Sequence, residues 1–139
     1  KKYKTSNLDP HQSPLFWKSV NSLQLFSETK NNLLRVVVPP ANCEKVMNNI
    51  KNKFKYFIDW SGSLFWIEVP EKDDDKLKEV KKMILQNNGY VTIIKKSEEF
   101  DFSEKIFTID DTKLMISKKI KESFDPKGIF NPGKMYKDF

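Results

Sequence analysis

The sequence predicts an α+β fold built from one antiparallel sheet and two helices that cover one of its faces. Short segments rich in β-branched and aromatic residues predict four strands, at residues 33–38, 54–60, 64–69 and 90–94. Apolar residues at helical spacing predict one helix after the first strand and another after the third. The order strand, helix, strand, strand, helix, strand is typical of the ferredoxin-like βαββαβ arrangement.

The first strand and the first helix meet at a pair of prolines. Residues 33–38 form an aliphatic run that contains one arginine, and Pro39 and Pro40 end it because proline has no amide hydrogen for a sheet. Asn42 is placed to cap the helix that follows. The apolar stripe of that helix is formed by Cys43, Val46, Met47, Ile50 and Phe54.

A hairpin is predicted in the middle of the chain. After residue 54 the apolar residues recur at every second position, which puts on one strand face Phe54, Tyr56, Ile58 and Trp60. The turn at residues 61–63 contains a glycine and leads into the third strand, which Pro70 ends.

The second helix begins at a run of acids. Residues 73–75 are all aspartate, and negative charge is favourable at a helix start. Asn88 and Gly89 end the helix before the fourth strand. Its apolar stripe is formed by Leu77, Val80, Met83 and Ile84.

The chain is predicted to contain three regions. They are a linker with a short helical lead-in at residues 1–28, the ferredoxin-like core at 29–96, and a C-terminal helix and tail at 97–139. Pro14 suits the start of the lead-in helix. The large apolar side chains at residues 15–17 are expected to be buried.

The C-terminal helix is predicted to run from Asp111 to about Phe124, with residues 111–112 as its cap. The tail after it is expected to be an ordered strap, because two prolines and two glycines restrict its turns. Its predicted apolar anchors are Ile129, Phe130 and Met135.

Composition argues against several function classes. The net charge is +6, but the lysines are spread along the chain among 19 acids, so a nucleic-acid-binding patch is not expected. The apolar runs are far shorter than the roughly 20 residues of a membrane span. A single cysteine, Cys43, permits no internal disulfide and suits the cytoplasm.

The sequence contains no self-contained catalytic set. The single histidine, His11, lies in the linker, and Cys43 lies on a core-facing stripe. One histidine and one cysteine do not make a zinc site, and the four glycines form no phosphate-binding loop. Any chemistry is therefore expected to depend on a partner domain.

One contiguous stretch carries a specific resemblance. Residues 120–135 read IKESFDPKGIFNPGKM. This stretch resembles the C-terminal signature K-x-x-F-D-P-x-G-x-x-N-P-G-K/R of FAD-linked oxidases of the vanillyl-alcohol-oxidase type. The alternative explanation is a capped helix followed by two turns. It would account for the positions of the prolines and glycines, but not for the order of the residues between them.

Two further segments are similar to the FAD-binding subunits of glycolate oxidases. Residues 34–40 resemble a W-R-x-x-x-P strand, although Leu34 stands where tryptophan is common. Residues 58–66 resemble a D-W-x-G-x-x-x-W hairpin. The resemblance covers roughly residues 14–136.

The resemblance implies oxidation of glycolate or a similar small 2-hydroxy acid with FAD as cofactor. An FAD-binding domain would precede Lys1, so this chain alone is expected to hold no flavin and to be inactive. The implied partners are that domain, a second flavin subunit and an iron–sulfur subunit, in the cytoplasm or peripherally at the inner membrane face.

The resemblance also gives candidate site residues. Arg35 is predicted to bind the substrate carboxylate, because a mid-strand guanidinium needs a partner; the alternative is a structural ion pair with Asp59. Trp60 and Trp66 are predicted at the substrate, with core packing as the alternative for at least one. Asn131 and Asp59 are predicted to bind the cofactor; Asn131 is alternatively a turn residue.

Two other function classes stay open. The element order and a pI of about 9.3 also suit an RNA-recognition domain, but residues 62–69 do not match its third-strand signature. A ferredoxin-like domain that binds a small molecule is the other alternative.

Overall fold

The computed structural model describes residues 5–71, 73–98, 106–134 and 136, and the statements below concern those residues. Within them lie four helices and four strands, in the order α1 (Gln12–Asn21), β1 (Asn32–Val37), α2 (Cys43–Ile50), β2 (Lys55–Asp59), β3 (Leu64–Val69), α3 (Asp74–Gln86), β4 (Tyr90–Lys95) and α4 (Asp111–Phe124). Short 3₁₀ turns occur at Gln24–Phe26, Pro40–Asn42 and Trp60–Gly62.

The four strands form one antiparallel sheet in the order β2-β3-β1-β4. β1 lies in the centre, where Leu34 is opposite Ile67 of β3 and Ile93 of β4. The predicted α+β fold is confirmed, and the strand order is that of the ferredoxin-like arrangement.

The hydrophobic core lies between one face of the sheet and the helices α2 and α3. Leu34 and Val36 of β1 and Phe65 and Ile67 of β3 are fully buried there. The helices contribute Val46, Ile50, Leu77, Val80 and Ile84. Each of these side chains stabilises the fold by about 1.5–3 kcal/mol, which fixes the sheet on which the site is built.

We call the opposite face of the sheet the open face. It carries those residues of each strand that alternate with the core-facing ones. Its members are Leu33, Arg35 and Val37 of β1, Leu64, Trp66 and Glu68 of β3, Lys55, Phe57 and Asp59 of β2, and Tyr90, Thr92 and Lys95 of β4.

Residues 24–31 cover one end of the open face. The Lys55 ammonium donates to the carbonyl of Leu25 at 2.5 Å, and the Lys95 ammonium donates to the carbonyl of Thr29. The side-chain amide of Asn31 donates to the Glu68 carboxylate at 2.6 Å. These bonds hold the lead-in against the sheet.

Helix α1 does not bury its apolar residues, so that prediction was wrong. Leu15, Phe16 and Trp17 are 68%, 45% and 57% exposed, and α1 has no buried residue. Only Ser13 and the last turn of this ten-residue helix are partly covered, so its middle extends into solvent. Phe16 and Trp17 contact each other edge to face, with ring centroids 5.3 Å apart.

The helix starts largely follow the predicted positions. The carboxylates of Asp73 and Asp110 each accept the backbone amide three residues later at 2.9 Å, so the cap of α4 is Asp110 rather than Asp111. Asn42 precedes α2 as predicted, but its side chain donates to the carbonyl of Asn87 at 2.8 Å and does not cap the helix.

The segment before α4 pairs with the free edge of β4. The amide of Ile93 donates to the carbonyl of Ile106, and the amide of Thr108 donates to the carbonyl of Val91, both at 3.0 Å. Helix α4 follows and contains no buried residue. None of the helices described here has the length and apolar content to cross a membrane.

Candidate functional site

Arg35 lies at the centre of the open face. Its cross-strand neighbours are Trp66 on β3 and Thr92 on β4, and its side chain is half-buried. Directly opposed residues of an antiparallel pair point to the same side, so these three side chains lie next to one another.

The β2–β3 turn brings Trp60 to Arg35. Trp60, Ser61 and Gly62 all have left-handed backbone angles, with φ of 50°, 52° and 91°. The Asp59 carboxylate accepts the amide of Trp60 at 2.7 Å and holds the start of the turn. As a result the Trp60 ring centre lies 5.2 Å from the Arg35 guanidinium carbon.

This turn corrects the predicted path of β2. Phe54, Tyr56 and Ile58 pack against the core as predicted, but Trp60 does not share their face, because the strand ends at Asp59. The turn needs glycine at position 62, since a Cβ there would lie 2.6 Å from the sulfur of Cys43.

The alternative ion pair between Arg35 and Asp59 is not formed. The Asp59 carboxylate is occupied by the turn, and among the described residues the recorded contact of Arg35 is the cation–π contact with Trp60. Such a contact contributes about 0.5–1 kcal/mol and leaves the planar donor edge of the guanidinium unused. That edge suits a carboxylate, which it binds through two parallel hydrogen bonds.

Four residues from four strands form one row across the open face. The row, which we call the Arg35 row, consists of Thr92, Arg35, Trp66 and Phe57. All four side chains are half-buried, and neither Trp66 nor Trp60 belongs to the buried core. The row therefore presents a hydroxyl, a guanidinium, an indole and a phenyl ring side by side.

The tail after α4 is folded around Asp125. The side chain of Asp125 accepts the backbone amides of Ile129 and Phe130, both at 2.9 Å, and is only 7% exposed. The Lys121 ammonium, one helical turn earlier, donates to the same carboxylate and also to the carbonyl of Phe130 at 2.6 Å. We call this arrangement the Asp125 clamp.

The clamp keeps Asp125 ionised. The hydrogen bond from the Lys121 side chain, followed by that from the amide of Phe130, lowers the pKa of Asp125 from 3.8 to about 2. Partial burial acts in the opposite direction and is outweighed. The carboxylate is therefore fully charged at neutral pH and can hold the tail continuously.

The expected apolar anchoring of the tail was wrong for the residues that the structure describes. Ile129 and Phe130 are 65% and 67% exposed, so backbone hydrogen bonds to Asp125 replace hydrophobic burial as the ordering force. Met135, the third predicted anchor, lies outside the described residues.

Asn131 lies on the tail beside a groove. Its backbone is left-handed, with φ of 47°, and its side chain is exposed. The groove has a volume of about 620 Å³ and is lined by Phe124, Phe130, Asn131 and Tyr136, among others. No hydrogen bond of the Asn131 side chain is recorded within the described part of the chain.

The structure brings together some of the predicted site residues. Arg35, Trp60 and Trp66 are neighbours on the open face, and Asp59 supports them by holding the turn. No contact between Asn131 and these residues is recorded in the described ranges. Nor do those ranges contain a cluster of three His, Cys, Asp or Glu side chains arranged to hold a metal.

Sequence reasoning missed Phe57, Thr92 and the clamp. Phe57 and Thr92 could have been found from strand alternation. Each follows a core-facing residue, Tyr56 or Val91, and must therefore lie on the other face of the sheet. The clamp could also have been found from the sequence, since Lys121 and Asp125 are four residues apart at a helix end, a spacing that favours an ion pair.

The comparisons with known proteins concern the tail. Searches of curated proteins and of solved structures gave no match to the chain. One family profile, described as "FAD linked oxidases, C-terminal domain", matches residues 103–135, a range that contains α4 and the Asp125 clamp. In this range the chain is therefore similar to the C-terminal domain of FAD linked oxidases.

Proposed function

We propose that this chain is the substrate-side part of a flavin-dependent oxidoreductase that oxidises glycolate or a similar small 2-hydroxy acid to the 2-oxo acid. The observation that carries the proposal is the half-buried Arg35, whose donor edge is unused in the described structure, in a chain that matches the FAD linked oxidases over residues 103–135.

The surface chemistry fits a flavin held by a neighbouring domain. The groove beside the tail offers the exposed rings of Phe124 and Phe130 for a planar aromatic group and the free amide of Asn131 for its polar edge. We propose Asn131 as the residue that contacts the cofactor, and Asp59 as a residue that acts through Trp60. When bound, FAD would accept a hydride from the carbon that carries the hydroxyl.

The chain's own part in the reaction would be to bind and orient the acid. Arg35 would hold the carboxylate through two hydrogen bonds, with Trp60 against one face of the guanidinium to limit its rotation. Trp66 would cover the substrate from the β3 side and exclude water. Fixing the carboxylate in this way sets the position of the neighbouring hydroxyl carbon.

We also propose the partners that the resemblance implies. They are an FAD-binding domain that precedes residue 1, a second flavin subunit and an iron–sulfur subunit that takes the electrons. The exposed stripe of Ile116, Ile120 and Phe124, four residues apart on α4, supports the existence of such partners, because a contiguous apolar surface is usually covered in an assembly. The proposed location is the cytoplasm.

The test is anaerobic reduction of the flavin in the full-length subunit. Mixing it with glycolate or lactate should bleach the flavin absorbance, and Arg35→Gln should slow the bleaching. A subunit that purifies with flavin but is reduced by no 2-hydroxy acid would contradict the proposed substrate class.

A further inference from the structure

The Arg35 row ends at an apolar groove. Phe57, the last member of the row, also lines a groove of about 310 Å³ formed by the lead-in. The other apolar residues of this groove are Val20, Leu23, Leu25 and Phe26. A guanidinium and an apolar groove are therefore joined by a continuous surface of two aromatic rings.

The distance along this surface exceeds what glycolate can cover. Arg35 and Phe57 are separated by two strand spacings, which amounts to about 9.5 Å. A two-carbon acid bound at Arg35 would leave Phe57 and the groove in contact with water. An extended chain of about six to eight carbons would reach the groove from the same anchor.

The far end of the surface is suited to a neutral group. Lys55, two residues before Phe57 on β2, already donates to the carbonyl of Leu25 and lies 3.7 Å from the Glu68 carboxylate. Glu68 in turn accepts from the side chain of Asn31. Because Lys55 is already engaged and one oxygen of the Glu68 carboxylate is buried without a hydrogen-bond partner among the described residues, a second carboxylate at this end would meet negative charge and find no free cation in this pair.

We propose that the site takes 2-hydroxy acids with an unbranched apolar side chain, with the carboxylate on Arg35 and the chain lying across Trp66 and Phe57 into the groove. The inference rests on the proposed function, because it uses the same carboxylate anchor. It adds a specificity role for Phe57, which is a binding residue for the side chain of the substrate. Burial of several methylene groups should make such an acid bind at least about tenfold more tightly than glycolate.

The test uses the chain labelled with nitrogen-15 and follows the indole N–H signals of its three tryptophans. Two of them, Trp60 and Trp66, lie at the site, and the backbone amide of Val80 on α3, on the opposite side of the sheet, serves as an internal control. The chain is titrated with glycolate, with 2-hydroxyoctanoate and with 2-octanol, which has the apolar chain but no carboxylate. We expect 2-hydroxyoctanoate to shift the two site signals at the lowest concentration and to leave the backbone amide signal of Val80 unchanged.

Variants separate this inference from the proposed function. Phe57→Thr, which keeps a strand-forming residue, should reduce the affinity for 2-hydroxyoctanoate at least about fivefold more than it reduces the affinity for glycolate. Arg35→Gln should weaken binding of both acids, whereas Leu85→Thr on the exposed side of α3, across the sheet from the site, should change neither.

Each of the remaining outcomes decides a question. Equal affinities for the two acids, together with a loss of both in Arg35→Gln, would overturn the apolar specificity and leave the proposed function standing. Tight binding of 2-octanol to the chain without substitutions would show that the carboxylate is not the anchor, and this result would overturn the inference. Unchanged binding in Arg35→Gln would overturn both proposals.

Discussion

Arg35 and Trp60 are in contact although they are 25 positions apart in the sequence, because a strained turn after β2 directs the indole over the guanidinium at 5.2 Å. Left-handed backbone at a residue other than glycine costs about 1–2 kcal/mol. The turn is maintained by the Asp59 carboxylate at its start and by close packing of Gly62 against Cys43 at its end. Strain of this kind at a candidate site suggests that the position of the ring matters.

The first prediction concerns the strain at Trp60. Trp60→Gly and Trp60→Ala both remove the ring, but only alanine keeps a Cβ at a φ of 50°. We expect the glycine variant to be about 0.5–1 kcal/mol more stable than the alanine variant, after allowing for the greater freedom of glycine in the unfolded chain. Urea unfolding of the two variants measures the difference, and an alanine variant of higher stability would contradict the strained geometry.

The second prediction concerns the role of Arg35. In the full-length subunit, Arg35→Lys keeps the charge but removes the paired donors, so kcat/KM for the substrate should fall by a factor that corresponds to about 1–3 kcal/mol. The melting temperature should change little, because no salt bridge of Arg35 is recorded in the described structure. A large fall in melting temperature with unchanged kcat/KM would make Arg35 a structural residue.

The sheet was predictable because its signals are local. The period-two pattern of β2, the glycine of the β2–β3 turn and the apolar stripe of α3 each follow from a few neighbouring residues. The position of Trp60 was not predictable in this way, because a left-handed conformation at tryptophan has no sequence signal. The exposure of Leu15 and Phe130 was missed because the burial rule assumes that each chain covers its own apolar surface.

The tail contains one feature that the sequence predicted, its turns, and one that it did not, the force that orders it. Its turns were expected from Pro126, Gly128, Pro132 and Gly133, and the left-handed φ values of the two glycines agree with that expectation. The force that orders it was attributed to apolar anchors, whereas the structure assigns it to Asp125. A carboxylate that binds backbone amides leaves no hydrophobic pattern, so periodicity did not reveal it.

The third prediction is a pH dependence of tail order. Since the pKa of Asp125 is lowered from 3.8 to about 2 in the folded chain, its stabilising contribution is complete above about pH 5 and is lost as the pH falls through 3.8 towards 2. The backbone amide signals of Ile129 and Phe130 should therefore move with a midpoint near pH 2. A midpoint near pH 3.8 for these signals would mean that Lys121 and the two amides do not favour the charged form of the Asp125 side chain.

The fourth prediction concerns Asn131 in the full-length subunit. Asn131→Ala should lower flavin retention or the rate of flavin reduction, because the variant lacks the exposed amide proposed to contact the cofactor. Asn131→Gly is the matched comparison, since it removes the same group but relieves the left-handed backbone at φ of 47°. Flavin content and reduction rate that are unchanged in both variants would remove Asn131 from the site.

The last prediction tests the clamp by mutation. Asp125→Asn keeps the size of the side chain and one acceptor oxygen but removes the negative charge that holds Lys121 and the amides of Ile129 and Phe130. Hydrogen bonds to a neutral acceptor are weaker, so hydrogen exchange at these two amides should become at least about tenfold faster.

The rest of the molecule provides the control. Amides of β1, such as that of Val36, lie in the centre of the sheet and should exchange at the same rate in the variant and the unmodified chain. The double variant Lys121→Met with Asp125→Asn should lose more protection than Asp125→Asn alone, because it also removes the hydrogen bond from Lys121 to the carbonyl of Phe130. Unchanged exchange at Ile129 and Phe130 in Asp125→Asn would show that something other than the Asp125 carboxylate orders the tail.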